Sequence, residues 1–371
     1  MFEKVKKNFG FGCMRLPMLN GEVDYKEFSL MIDKFIESGF NYFDTAHGYL
    51  GGKSETAIRD CLSARYPRES FVLTNKLSNP CFSDNSEIIP LFEEQLRCCG
   101  VDYFDFYLMH SQNKKSFEKF KQCRAYETAL ELKAQGRIKH FGLSFHDKAE
   151  VLDEILTEYP QIEVVQIQFN YADYEDELVE SRKCYEVCRK HNKPIIVMEP
   201  VKGGKLASLP DDAQCVFDSL GDASAASYAI RYAAGFDGVF MVLSGMGNMA
   251  MMNDNLSYMA EFKPLNETEA KAVETVRTIL ETRKSIQCTS CRYCVDGCPS
   301  GIPIPDVFTC LNRFDTWHDW SAGYYYNKYT QNGNRASTCI ECGACEDICP
   351  QHLPIRELLK KAAEQFEKED D

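Results

Sequence analysis

From residue 9 to about 262, short apolar runs alternate with longer stretches whose apolar residues recur every three or four positions. The runs are "FGFGC" (9–13), "NYFD" (41–44), "FVLTN" (71–75), "FDFYLM" (104–109), "HFGLS" (140–144), "VVQIQ" (164–168), "IIVM" (195–198) and "GVFMVL" (238–243). Their continuous apolar character suits strands of a parallel sheet covered on both faces. The stretches between them carry helical signals. In "DYKEFSLMIDKFIESG", Asp24 and Glu27 predict a capping box, Phe28, Met31, Ile32 and Phe35 line one face, and Gly39 stands at the C-terminal cap. Further helices are expected at 86–99, 126–136, 148–158, 177–191, 223–234 and 248–262. Eight such units over about 250 residues spell an α/β fold, a (β/α)8 TIM barrel. A doubly wound open sheet is the alternative, and it needs fewer units.

Residues 263–285 are charged and helix-prone, and read as a connecting helix. Beyond them the chain repeats itself at an offset of 51 residues: "CTSCRYCVDGCPSGIPI" (288–304) is echoed by "CIECGACEDICPQHLPI" (339–355). Each copy contains C-x2-C-x2-C-x3-C-P and leads into a helical stretch. Eight of the 18 cysteines lie in these two runs. Closely spaced cysteines can wrap one side of a cubane iron–sulfur cluster, whose fourth thiolate must come from elsewhere. Zinc ribbons also use C-x2-C pairs. The fourth cysteine of each run, the prolines Pro299 and Pro350 and the duplication favour clusters over zinc.

These runs resemble two-cluster ferredoxin domains, of the helical sort with a long insert between the runs. In such domains the fourth cysteine of each run ligates the other cluster. The resemblance thus implies one [4Fe–4S] cluster on Cys288, Cys291, Cys294 and Cys349 and a second on Cys339, Cys342, Cys345 and Cys298. Packing around the clusters is the role expected of the aromatic segment between the runs (Trp317, Trp320, Tyr324, Tyr325, Tyr326, Tyr329). The ten remaining cysteines are scattered and read as buried thiols packing like small hydrophobes.

In a (β/α)8 barrel, chemistry sits at the C-terminal ends of the strands. There the sequence places Asp44 in "FDTAHGYL", with Tyr49 five residues on, then Lys76, His110, Ser144, Gln166 and Glu199. Buried aspartate, lysine and histidine on consecutive strands fit a structural ion-pair network as well as catalysis. Tyr49 shifts that balance. "NYFDTAHGY", "LTNK", "FDFYLMH" and "GRIKHFGLS" resemble the aldo-keto reductases, over about residues 9–262. The resemblance implies a catalytic tetrad of Asp44, Tyr49, Lys76 and His110 and a nicotinamide dinucleotide across the barrel. Ser144 and Gln166 match positions that hold its carboxamide, and Asn255 matches an adenine-binding position. Gly203, Gly204 and Lys205 in one loop, and Ser244 and Gly245 in the next, could cradle its phosphates with backbone N–H groups. Phe145, Met198, Gly245 and Met251 depart from the family pattern, the last two where cations usually grip a 2′-phosphate. Their loss weakens charge-assisted binding of that group, so no strong preference for NADPH over NADH is expected.

Together these readings divide the chain into a barrel (1–262), a connecting helix (263–285) and a small, mostly α-helical dicluster domain (286–371). The expected function is carbonyl–alcohol interconversion coupled to electron transfer through two clusters. A hydride moves two electrons together and a cluster passes one. A flavin would bridge the two regimes, and the sequence carries no flavin motif. Two other readings compete: an electron-transfer or docking subunit whose barrel no longer reduces carbonyls, and an acid–base lyase or epimerase with structural clusters. The expected partners are a small carbonyl or alcohol and a redox protein. A net charge of -14 argues against nucleic acid and anionic membranes. No secretory h-region and no spanning apolar run is present, and the cysteine content suits a reducing compartment, so a cytoplasmic location is expected.

Overall fold

Eight of the ten strands are parallel and follow the apolar runs. A computed structural model describes residues 2–177, 179–283, 286, 288, 290–349 and 351–367. The strands are β1 (Phe9–Gly12), β2 (Met18–Leu19), β3 (Glu22–Val23), β4 (Tyr42–Asp44), β5 (Val72–Leu77), β6 (Phe104–Gln112), β7 (Ile138–Phe145), β8 (Val164–Gln168), β9 (Ile195–Met198) and β10 (Val239–Ser244). All but β2 and β3 form a closed barrel in the order β1-β10-β9-β8-β7-β6-β5-β4. The short antiparallel hairpin β2–β3 lies in the loop after β1.

Tyr42, Val72, Phe106, Leu108, Val164, Ile196, Met241 and Leu243 fill the barrel interior, and Phe2 packs against Phe106 and Phe240. The close fit dictates a glycine at 142. A Cβ there would stand 2.5 Å from the Val164 carbonyl oxygen and 2.8 Å from Leu108. The outer faces of the strands pack against the helices. In the helix Tyr25–Glu37 the buried residues are Phe28, Met31, Ile32 and Phe35.

Several local expectations need correction. Asp24 does cap its helix, accepting from the Lys26 and Glu27 N–H groups. The Glu27 carboxylate, however, accepts from Met249 N at 3.1 Å, so the cap is one-sided. Helices Lys53–Ile58, Lys114–Gln122 and Asp211–Asp218 were not legible. Each is short and too polar to show a clear apolar stripe. The expected helix 177–191 forms over Ser181–Lys190, with Leu178 outside the described residues. Of the scattered cysteines, Cys215 is exposed and Cys81 and Cys98 are half-buried; the rest are buried.

Two compact units divide the chain, residues 1–275 and 276–371. The connecting segment is helical over Glu267–Thr282, while Lys284 and Ser285 lie outside the described residues. In the second unit the duplication reaches the backbone. Ser290, Arg292 and Gly301 are left-handed, and so are Glu341, Gly343 and His352, each 51 residues further on. Helices Ile304–Trp317 and Ile355–Phe366 begin after Pro303 and Pro354. Of the intervening aromatic residues, Tyr326 stacks on Phe366 at 4.9 Å, Tyr325 lies under Arg313, and Trp320 is 76% exposed.

Candidate active site and cluster-binding residues

Lys76 organises the C-terminal mouth of the barrel. Its side chain is buried beside the equally buried Asp44 carboxylate. The ammonium has three N–H donors, and all three are used: Asp44 Oδ1 at 2.6 Å, the Thr45 carbonyl at 2.8 Å and the Tyr49 hydroxyl oxygen at 3.1 Å. Tyr49 therefore accepts from Lys76 and keeps its own O–H free to donate to a reactant. Burial raises the Tyr49 pKa, more than the Lys76 charge lowers it, so the phenol is protonated at neutral pH. Burial pushes the Asp44 carboxyl up against the pull of Lys76, and Asp44 Oδ2 is buried without a hydrogen-bond partner among the described residues.

His110 completes the group, its ring centroid 6.0 Å from that of Tyr49. Burial first, then the Lys76 charge and His146, drives its pKa well below 6.5, so the imidazole is neutral. Its Nδ1 lies 2.6 Å from Ser78 Oγ, which leaves Nε2 for a substrate oxygen. The loop bearing Tyr49 is pinned from behind. Glu55, 1% exposed, pairs with His47 at 2.8 Å and accepts from Asn75 at 2.7 Å. Asn75 Oδ1 in turn accepts from the Lys76 N–H. Ser78 and Glu55 escaped sequence reasoning because neither spacing nor periodicity marks them.

The residues expected to hold a dinucleotide are distributed unevenly. Gln166 Oε1 is buried and has no partner among the described residues, which suits an amide N–H donor. Ser144 Oγ accepts from the Ser111 N–H at 2.7 Å. Gly203 and Gly204 take left-handed conformations (φ 63° and 97°), the Gly204 N–H donates to the Val201 carbonyl at 2.9 Å, and Lys205 is exposed. Asn255 is turned inward: its amide donates to Ser244 Oγ at 2.7 Å and accepts from Tyr258. An adenine contact there would require those bonds to be exchanged. Lys202 is buried against Asp173 and is not a surface cation.

Arg15 is the cation that sequence reasoning overlooked. It is 44% exposed and lies 3.6 Å from Glu199. A Cβ on Gly245 would meet its stem at 3.4 Å, and one on Gly203 its guanidinium at 3.5 Å. Arg15 thus lies between the two glycine loops, its stem beside Gly245 and its guanidinium beside Gly203. Its only sequence signal is its place just after β1, in "GCMRLP".

In the second unit, Cys288, Cys291, Cys294 and Cys349 line one cavity, and Cys298, Cys339, Cys342 and Cys345 line another. In each, three thiols come from one run and the fourth from its copy. Burial, then the neighbouring Cys288 and Cys291, pushes the Cys294 thiol to about 11. Such crowding of thiols suits a cationic centre that takes them as thiolates.

A closed parallel barrel with this lysine-centred group at its mouth, followed by paired four-thiol cavities, defines an oxidoreductase of reductase-plus-dicluster type. The chain belongs to the aldo/keto reductase family, whose model matches residues 8–278, and a 4Fe-4S dicluster domain matches residues 287–353. It is 24% identical over 301 residues to the oxidoreductase YqkF of Bacillus subtilis, covering 72% of this chain and 91% of that protein. It is 29% identical over 213 residues to the NADH-specific methylglyoxal reductase of Escherichia coli, covering 51% of this chain and 61% of that protein. Among solved structures, the holo aldo-keto reductase AKR11C1 of Bacillus halodurans superposes with a TM-score of 0.59 at 23% identity, covering 73% and 92% of the two chains. A Klebsiella pneumoniae aldo-keto reductase in complex with NADPH gives 0.59 at 18% identity, covering 74% and 95%. Among the described residues no helix is long and apolar enough to cross a membrane.

Proposed function

We propose that the barrel reduces a small carbonyl compound to an alcohol at Tyr49, with Asp44, Lys76 and His110 in support, and that the two clusters exchange single electrons with a redox protein. The observation that carries this reading is the three-way hydrogen bonding of Lys76, which leaves the Tyr49 proton directed at a reactant. A reduced nicotinamide held by these residues would supply the hydride. Hydride addition leaves an alkoxide, and Tyr49 donates its proton there. A phenol of ordinary pKa near ~10 is a poor acid, and Lys76 lowers the cost of the phenolate it becomes. Asp44 keeps Lys76 charged. His110, neutral and held by Ser78, hydrogen-bonds the carbonyl oxygen through Nε2 and orients it.

Gln166 Oε1 fits the nicotinamide carboxamide, and the Gly203–Gly204 turn together with Arg15 fits the diphosphate. Gly245 and the exposed, apolar Met251 bring no cationic side chain of their own to a 2′-phosphate, and it is the stem of Arg15 that lies beside Gly245. NADH use, as the name of the Escherichia coli relative records for that enzyme, is consistent with this pocket. That relative's name also favours small carbonyl substrates of the methylglyoxal class.

Tyr49→Phe removes one hydroxyl and almost no volume. It should lower carbonyl reduction by about a hundredfold or more with iron content unchanged, and Lys76→Met should be nearly as damaging. Unaltered turnover in Tyr49→Phe would overturn the assignment. Titration of the full chain with both dinucleotides, followed by fluorescence, should show NADPH favoured by less than about tenfold; a preference nearer a hundredfold would reveal a phosphate clamp elsewhere.

A further inference from the structure

The duplication in the second unit breaks down at a pair of positions, and each cavity nevertheless receives the same charge. Residues 292 and 343 stand 51 apart, and both take a left-handed backbone, φ 64° at Arg292 and 82° at Gly343. Glycine adopts that conformation freely, whereas an arginine there is strained. Arg292 lines the cavity of Cys288, Cys291, Cys294 and Cys349. Gly343 has no side chain to offer its own cavity. Arg356 lines it instead, and the counterpart of Arg356 in the first copy is Pro305. A Cβ added at Gly343 would lie 3.9 Å from the Arg356 Cζ. Each four-cysteine cavity thus has one arginine in its wall, delivered from non-equivalent positions.

Each arginine is oriented by one carboxylate, again from non-equivalent positions. Arg292 reaches Asp306 at 3.1 and 3.4 Å. Arg356 places Nε and a terminal nitrogen on Glu346 Oε2 at 3.0 and 2.7 Å, and its backbone N–H donates to Glu346 Oε1. Neither carboxylate lines a cavity, whereas each arginine does. Simple surface ion pairs would not need a strained backbone on one side and a cleared glycine on the other. Nor would duplication by itself explain two unlike routes to one placement.

We propose that Arg292 and Arg356 set the reduction potentials of the two clusters, one arginine to each, by stabilising the reduced state. This rests on the dicluster reading. On reduction each cluster takes one electron from its donor, makes or breaks no bond, and gains one negative charge. A guanidinium beside the cavity favours that added charge, and cluster potentials respond to nearby charge and second-shell hydrogen bonds. The side chains are 54% and 43% exposed, so salt screens the effect in part.

The test is an anaerobic redox titration of the full, iron-loaded chain, followed by electron paramagnetic resonance, after iron and sulfide have been counted. Arg292→Gln should lower one of the two midpoint potentials and Arg356→Gln the other. Each shift should approach a tenfold change in the reduction equilibrium, about 59 mV for one electron. Asp306→Asn and Glu346→Gln should move the same two potentials upward, and the lysine variants of both arginines should stay near wild type. Potentials unmoved in both glutamine variants, or carboxylate variants that shift downward like the arginine ones, would overturn the proposal. If an arginine variant loses iron, the sign of the shift in its carboxylate partner's variant decides. Wild-type protein without two clusters' worth of iron would instead overturn the dicluster reading itself.

Discussion

Lys76 shows why a buried cation can be stable and useful together. Desolvation alone would strip its proton, but Asp44, the Thr45 carbonyl and Tyr49 satisfy every donor, and the net result is a raised pKa. His110 has the opposite balance. Burial and the nearby cation hold it neutral well below its ordinary 6.5. The unfolded chain therefore binds more protons than the folded one between that depressed value and 6.5, so folding stability falls as pH falls through this window. The His110→Gln variant should lose that part of the pH dependence. Urea unfolding of both proteins at about pH 7.5 and about pH 5.5, either side of the ordinary value, checks this: wild type should lose more stability than the variant on acidification. An equal loss in both would show that His110 is protonated in the folded state.

Among the elements, strands were easier to read than helices. Continuous apolar runs survive because both faces of a parallel strand are covered, and β8 and β9 have the limits of their sequence runs. The unforeseen helix Lys114–Gln122 buries only Ser116, Phe117 and Phe120, too few for a recognisable stripe, and its start depends on Asn113 and Ser116 capping each other. Gly142 in β7 illustrates a demand that only packing creates. Gly142→Ala would force a methyl against the Val164 carbonyl and Leu108, and overpacking of this kind costs roughly 1–3 kcal/mol. Denaturant melts should show the lowered midpoint with an unchanged slope.

At the scale of the whole molecule, the barrel strands end at Ser244 and the compact first unit at Thr275. We expect residues 1–275 alone to fold as an iron-free barrel, shown by a cooperative melt and a structured near-ultraviolet signal from its tyrosines and phenylalanines, both tryptophans lying in the second unit. The full chain, purified without oxygen, should carry about eight irons and about eight acid-labile sulfides, four per cluster of its dicluster domain. Dithionite should bleach its brown absorbance. Stoichiometric zinc without labile sulfide would contradict the cluster assignment.

The sequence by itself determined the barrel, the order of Asp44, Tyr49, Lys76 and His110 along it, and the two runs of four cysteines. Strand period and motif spacing are short-range properties, and the 51-residue repeat writes the second unit's pattern twice. Closure of the barrel decided the rest. It brought Arg15 beside Gly203 and Gly245, put Ser78 behind His110, and turned Asn255 inward toward Ser244. In the second unit, folding placed Arg356 where Gly343 leaves room. Such contacts join loops distant in sequence through particular side-chain directions, and no local pattern of residues encodes them.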